Sequence, residues 1–253
     1  MYSSPSDLTQ LLNAANQVIP RLQGRVGDAQ QEHLRCGSPD NPQRLERLYH
    51  YWQQQHPEAG RHYWAVRSWT LLIWQPIYLS VLAVHLQGRA PALAQMGQLL
   101  NDSGFVGGFC LPAHSPQRGA VPELIRFAAT QVQTVVEAQL DEFNQVASIY
   151  PKLARLLAAD CAGAALLLAQ RQLKHSNNQL RDLEHTWLDA LQLTSRSCLE
   201  GLIASDGDEH LSLLRRACCQ DFRCADGELC DSCPKLKPAE RLARLQAELA
   251  TAC

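Results

Sequence analysis

The chain has 253 residues, of which 46% are hydrophobic and 19% charged. This is enough to bury the core of one large domain or two small ones. The formal net charge of -2 shows no basic excess, so nucleic acid is not expected as a partner.

The first half of the chain has the apolar periodicity of helices. A stripe formed by Leu8, Leu11, Leu12 and Ala15 predicts the first one. Pro76 is expected to divide two helices in the aromatic-rich stretch that follows, because proline is poorly tolerated inside a helix. The most apolar run, residues 71–86, is shorter than the roughly 20 residues that span a bilayer. We predict a buried helix there, with contact to the inner-membrane surface as the alternative.

The second half also predicts mainly helices. Residues 103–111 lack helical periodicity and are expected to include a strand, whereas residues 121–150 form one long helix. Pro151 ends that helix or begins the next, and residues 160–173 form a central apolar helix. A capping box at Ser176 and Gln179 begins another helix, residues 211–216 form a short strand, and Pro238 begins the last helix.

The predicted fold class is therefore mainly α with a few short strands (α+β). We expect a helical substrate domain over residues 1–209 and a small cysteine-bearing segment with a terminal helix over residues 210–253. No secretory signal is recognised at the start of the chain. Six of the ten cysteines have no framework spacing, which favours a cytoplasmic protein with free thiols over a disulfide scaffold.

The most informative pattern is Cys218-Cys219-x10-Cys230-x2-Cys233. Four thiolates in one short segment are a ligand set for zinc or for an iron–sulfur cluster. Only the second pair is a Cys-x-x-Cys knuckle, and the adjacent pair can reach one centre only if the backbone bends sharply. The spacing alone leaves iron–sulfur, zinc, and disulfides or unligated thiols open. Cys224 is a fifth thiol inside the loop, predicted to be a bystander, with a swapped ligand or redox-sensitive thiol as the alternative.

This cysteine spacing resembles that of the FhuF-type ferric siderophore reductases. The arginine pair before the cysteines and Phe222 after them strengthen the resemblance, and two upstream stretches, residues 69–86 and 114–117, are also similar. The resemblance runs from about residue 50 to residue 237. The chain differs from the family pattern at Cys224 and in the helix around residues 160–163.

The resemblance implies a 2Fe–2S cluster held by Cys218, Cys219, Cys230 and Cys233. It also implies a cytoplasmic enzyme that reduces an imported Fe(III)–siderophore, expected to be of the hydroxamate type, by one electron and releases Fe(II). No Gly-x-Gly-x-x-Gly motif is present to bind a nicotinamide or flavin. An external donor, a ferredoxin or an NAD(P)H-dependent reductase, is therefore expected.

Further candidate residues follow from this interpretation. The residues predicted to contact the siderophore are Trp64, Arg67, His114 and Arg118. Those predicted to tune the cluster or dock the electron donor are Arg215, Arg216 and Arg223. Two other functions remain open at this point: a zinc-stabilised protein-interaction module and an iron or redox sensor.

Overall fold

The structure is a computed structural model that describes residues 6–193, 197–204 and 207–252. Within these ranges the helices are α1 Asp7–Val18, α2 Asn41–Gln55, α3 Gly60–Gln87, α4 Val121–Phe143, α5 Pro151–Leu173, α6 Asn177–Ala190 and α7 Pro238–Ala252. The strands are β1 Gly24–Val26, β2 His33–Leu34, β3 Arg89–Ala90, β4 Gly97–Leu100, β5 Val106–Leu111, β6 Gln117–Arg118, β7 Leu199–Ile203 and β8 Glu209–Leu213. The predicted mainly helical α+β class is confirmed.

The strands form three small sheets. The largest has the order β1-β5-β4-β2, in which β1 runs parallel to β5 and the other neighbours are antiparallel. Strand β3 pairs with β6, and β7 with β8 forms an antiparallel hairpin. The chain leaves β8 directly into the cysteine-bearing segment, so this hairpin positions the segment on the helical body.

Helix α3 is the centre of the core and packs against α2, α4 and α5. Helices α3 and α5 are both long and apolar enough to cross a membrane by length and composition. However, 72% and 56% of their most apolar windows are buried inside the protein, as in the core helices of soluble proteins. The buried helix predicted over residues 71–86 is therefore confirmed as the C-terminal part of α3.

A partly buried histidine joins helix α3 to helix α6. Near the end of α3, the Nε2 atom of His85 accepts a hydrogen bond of 2.9 Å from the indole N–H of Trp187 in α6. Burial, and after it the neighbouring His175, lowers the pKa of His85 to about 4. The imidazole is therefore neutral at pH 7 and can accept the bond.

The prediction that Pro76 divides two helices is wrong, because α3 continues through it from Gly60 to Gln87. Proline lacks the N–H that would bond the carbonyl four residues earlier, which is that of Leu72. Gln98 on β4 supplies the missing donor, since its Nε2 atom lies 2.9 Å from the Leu72 oxygen. The helix is continuous because a side chain from another element replaces the lost backbone hydrogen bond.

Gln98 belongs to a chain of three buried glutamines that joins two helices and a sheet. The amide of Gln139 in α4 donates to Gln98 Oε1, and Gln98 Nε2 also donates to Gln75 Oε1 at 3.0 Å. Gln75 Nε2 in turn lies 3.4 Å and 3.3 Å from the carbonyl oxygens of Val106 and Gly108. The three amides thus provide partners for one another and for backbone carbonyl groups, whereas the Oε1 atom of Gln139 is buried without one.

Most of the other predicted elements are confirmed. The strand predicted in residues 103–111 is β5, and Pro151 begins α5. Ser176 and Gln179 form the predicted capping box of α6, and Pro238 begins α7. The helix predicted over residues 121–150 ends earlier, at Phe143, and the strand predicted over 211–216 is β8, shifted to residues 209–213. The division into two domains at residue 209 stays a prediction.

Candidate metal centre

The four predicted ligands lie together in the segment between β8 and α7. The Sγ atoms of Cys218 and Cys233 are 3.8 Å apart, and the thiols of Cys218 and Cys230 both hydrogen-bond to the sulfur of Cys219. Cys218 and Cys233 are buried, whereas the other two are partly exposed. The sulfur atoms of four cysteines, at both ends of the segment 218–233, therefore lie close together near the surface.

A sharp backbone turn allows the adjacent cysteines to reach the same centre. Gln220, directly after them, has a φ of 66°, in the left-handed region that non-glycine residues rarely adopt. A short 3₁₀ turn over Asp221–Arg223 follows. Further along, a Cβ atom on Gly227 would overlap the carbonyl oxygen of Asp221, so the loop closes on itself where only glycine fits.

A carboxylate from helix α5 fixes the entry into the loop. The Asp160 oxygens accept hydrogen bonds from the backbone N–H of Arg216, at 2.8 and 3.0 Å, and from that of Ala217, at 2.9 Å. Burial raises the pKa of Asp160 to about 6, although these two N–H groups act in the opposite direction. Cys218 follows immediately, so Asp160 determines where the first ligand lies.

The donor set fits a thiolate-bound metal centre. The pKa of Cys219 lies far below its usual value because Cys218 and then Cys230 donate hydrogen bonds to its sulfur, and the same hydrogen bonds raise the pKa of those two thiols. A thiolate is the form that ligates metals. A tetrahedral metal with metal–sulfur bonds of about 2.3 Å holds two sulfurs roughly 3.8 Å apart, which matches the Cys218–Cys233 distance of 3.8 Å.

Backbone donors also surround the sulfurs. The N–H of Gln220 lies 3.4 Å from Cys218 Sγ, and the N–H of Asp221 hydrogen-bonds to Cys219. Such N–H···S bonds are one of the means by which proteins set the potential of an iron–sulfur cluster. The geometry alone suits zinc as well, so the cluster type depends on comparison with known proteins.

The family described as the FhuF 2Fe-2S C-terminal domain matches residues 215–235. The match contains all four cysteines and confirms the recognition of their spacing as that of FhuF-type proteins. Because this domain holds a 2Fe–2S cluster, the cofactor predicted for the chain is also confirmed. The match supports an iron–sulfur redox protein and does not extend to the helical body.

A pocket of about 240 Å³ opens beside the sulfur cluster, between helices α3 and α5. Cys219 is one of its lining residues and is the ligand that the pocket exposes. Two cationic, two aromatic and two acidic residues are among those that line it: Arg67, Arg215, Trp74, Tyr78, Asp160 and Asp221. Another cavity, of about 460 Å³, lies around Tyr150 and Arg155 and contains no cysteine of the cluster.

Of the four predicted siderophore contacts, the structure places one at this pocket. Arg67 lines it, and its guanidinium lies over the ring of Trp52, 4.6 Å from the ring centroid. Trp64 instead donates its indole N–H to the carbonyl oxygen of His56 at 2.8 Å. His114 accepts the N–H of Ala92 at 3.0 Å.

Arg118 bonds the carboxylate of Asp7. Neither it nor Trp64 or His114 lines the pocket beside Cys219. Their contacts are structural ones within the protein, and their predicted role in substrate binding is untested.

The three arginines near the cysteines have different surroundings. Arg215 lines the pocket, and its charge lowers the pKa of Cys230, although hydrogen bonding to Cys219 and burial raise that pKa overall. The side chain of Arg216 donates to the carbonyl oxygen of Ser197. Arg223 is exposed and lies over the Phe222 ring at 5.6 Å. Arg215 is thus the arginine best placed to act on the cluster.

Sequence reasoning missed several residues of this site. In the sequence, Asp160 is notable only as part of a helix that differs from the family pattern. Its role follows from three hydrogen bonds to residues 56 and 57 positions away. Trp74 and Tyr78 lie within residues 71–86, for which the sequence predicts only a buried helix. Their spacing of four on α3, one turn beyond Thr70 and Arg67, is the signal that could have placed them on one face.

Proposed function

We propose that this protein is a ferric siderophore reductase that acts in the cytoplasm. The observation that carries the proposal is the pocket in which Cys219, a ligand of the cluster, shares a wall with Arg67 and Arg215. A substrate bound there would be next to the cluster. The matched 2Fe-2S domain supports the same conclusion, since a 2Fe–2S cluster supplies one electron at a time when it is bound.

The chemistry needs only one electron. Fe(III) is a hard cation held by hard oxygen donors, and reduction to Fe(II) weakens that hold. One electron from an external donor converts Fe(III)–siderophore into Fe(II)–siderophore, which dissociates into Fe(II) and the intact siderophore. No bond of the siderophore is broken, so no hydrolytic residues are required.

The roles of the pocket residues follow from their chemistry. Arg67 and Arg215 would bind the oxygen-rich edge of the ferric complex, and Trp74 and Tyr78 would pack against its apolar parts. Small-molecule sites usually enclose about 300–1,000 Å³, whereas this pocket has about 240 Å³. We infer that it receives one edge of the complex and leaves the rest in solvent. A hydroxamate siderophore is the expected substrate.

The electron donor is proposed to be a ferredoxin or an NAD(P)H-dependent reductase. The cluster ligands lie near the surface, with Cys219 and Cys230 partly exposed, which would allow a partner to approach. Exposed Arg223 offers a positive charge to an acidic donor. Contact with the inner membrane is a weaker proposal, because the apolar helices are largely buried.

The test is reoxidation of the dithionite-reduced protein by a ferric trihydroxamate under anaerobic conditions, followed in the visible absorption of the cluster. Recovery of the absorption, with one Fe(II) trapped by a chelator per electron, is the expected result. A reduced cluster that the ferric complex does not reoxidise would contradict the proposal.

The variant Arg67→Ala tests the pocket, and Arg118→Ala is its control. Loss of one charged contact of roughly 1.5–3 kcal/mol predicts a rate constant lower by about 10- to 150-fold for Arg67→Ala. Arg118 pairs with Asp7 outside the pocket, so its replacement should leave the rate unchanged. Equal rates in both variants would show that the substrate binds elsewhere.

A further inference from the structure

A second group of metal-ligand side chains lies outside the four-cysteine centre. His56 and Glu58, just before helix α3, meet Cys224 of the cysteine-bearing loop. One donor atom from each residue lies within 4.8 Å of the other two, and His56 Nδ1 is 3.6 Å from Glu58 Oε1. Cys224 has no part in the four-cysteine motif, so this group is separate from the cluster ligands.

Neighbouring groups hold each of the three donors in place. The Oε1 atom of Glu58 accepts the backbone N–H of Ala225 at 3.0 Å, which ties the helical body to the loop beside Cys224. The ring of His56 stacks on Trp52, with a centroid distance of 6.0 Å and an interplanar angle of 10°. The hydroxyl of buried Tyr63 donates a hydrogen bond to the sulfur of Cys224.

The donor types define the cation. An imidazole nitrogen, a carboxylate oxygen and a thiolate sulfur suit borderline ions such as Zn²⁺ and Fe²⁺, and not Mg²⁺ or Ca²⁺, which take oxygen ligands. In a tetrahedral site with metal–nitrogen and metal–oxygen bonds of about 2.1 Å, these two atoms are roughly 3.4 Å apart. The observed 3.6 Å between His56 and Glu58 is already close to this distance.

We propose that His56, Glu58 and Cys224 form a second metal site, which binds one divalent first-row transition cation. Three protein ligands leave a position open to water, as in catalytic zinc sites. Glu58 is exposed and the other two residues are partly exposed, so the ion can enter from solvent. Binding requires the thiolate and the neutral imidazole, and it therefore releases a proton from Cys224.

The experiment is a Zn²⁺ titration of the cluster-loaded protein by anaerobic calorimetry, in two buffers of different ionisation enthalpy. One equivalent of Zn²⁺ should bind with release of about one proton, while the visible absorption of the cluster stays constant. Cys224→Ser should weaken this binding by at least about 100-fold and abolish the proton release, because thiolate ligands dominate zinc affinity.

Cys36→Ser is the matched control, since Cys36 is another partly exposed thiol and donates only to the Val135 carbonyl oxygen. It should bind Zn²⁺ like the wild type. Glu58→Gln keeps an oxygen for the Ala225 N–H but loses the charge, and should weaken binding by about tenfold. Equal affinity in wild type and Cys224→Ser, or Zn²⁺ uptake only with loss of cluster absorption, would overturn the proposal. The test uses no siderophore, so its outcome is independent of the proposed function.

Discussion

Replacement of Asp160 by alanine should destabilise both the fold and the cluster. The side chain accepts hydrogen bonds from two backbone N–H groups, those of Arg216 and Ala217. Alanine leaves one part-buried and one buried donor without an acceptor, at about 1–3 kcal/mol each. We therefore expect the free energy of unfolding to fall by about 2–6 kcal/mol.

The measurement is chemical denaturation of the cluster-loaded protein at pH 8, where the Asp160 carboxyl with a pKa of about 6 is ionised. The rate at which the visible absorption of the cluster is lost to a chelator is recorded in parallel. Asp160 holds the two residues that directly precede Cys218, the first predicted ligand. The variant should therefore also lose its cluster faster. Asp160→Asn keeps one acceptor oxygen and should show a smaller effect.

Asp182→Ala provides the comparison, since Asp182 is an exposed residue on the neighbouring helix α6. Substitutions of this kind usually change stability by less than about 0.5 kcal/mol. If Asp160→Ala unfolds and loses its cluster like Asp182→Ala, the carboxylate does not hold the entry of the loop.

Three other measurements test the loop, the core and the cluster environment. Gly227→Ala should lower the free energy of unfolding by about 1–3 kcal/mol, measured by denaturation. Gly107→Ala, whose Cβ would have its nearest neighbours at 3.4 Å, should be tolerated. Equal stability of the two variants would refute the close approach of Gly227 to Asp221. The His85 pKa of about 4 lies below the unfolded value of about 6.5, so the stability contributed by His85 is complete above pH 6.5 and falls by up to roughly 3 kcal/mol as the pH drops to 4. His85→Gln should remove that part of the pH dependence, and an unchanged profile would be inconsistent with a buried neutral imidazole. Arg215→Gln should lower the reduction potential of the cluster by roughly 50–100 mV in a redox titration. Replacement of the exposed Arg223 by glutamine should leave that potential nearly unchanged. A larger decrease for Arg223→Gln than for Arg215→Gln would mean that Arg223 acts on the cluster.

The grouping of the four cysteines and most helix boundaries could be predicted because their signals are local. The spacing of four cysteines specifies a metal centre within 16 residues, and Pro151 and Ser176 begin helices through their own backbone and side-chain chemistry. Pro76 misled the same reasoning. Its effect on α3 depends on Gln98, a residue 22 positions later on a different element.

The pocket beside Cys219 was only partly predictable for a similar reason. Arg67 was identified, yet Trp64 was chosen beside it although the indole bonds the carbonyl oxygen of His56. Both lie on α3, and only the packing of that helix decides which side faces the cysteine loop. The contact between Glu58 and Ala225 joins residues 167 positions apart. No spacing in the sequence indicates that His56 and Glu58 would meet Cys224.

The chain of buried glutamines has a consequence for how the sheet aligns with the helices. Side chains alternate between the faces of a strand, so a slip of β4 by one residue would turn Gln98 to the opposite face. The carbonyl of Leu72 and the amides of Gln75 and Gln139 would then lose a partner together. At about 1–3 kcal/mol for each unsatisfied group, the misaligned strand would be disfavoured by several kcal/mol. These three polar residues therefore favour a single register of β4. An entirely apolar core would give a smaller free-energy difference between the registers.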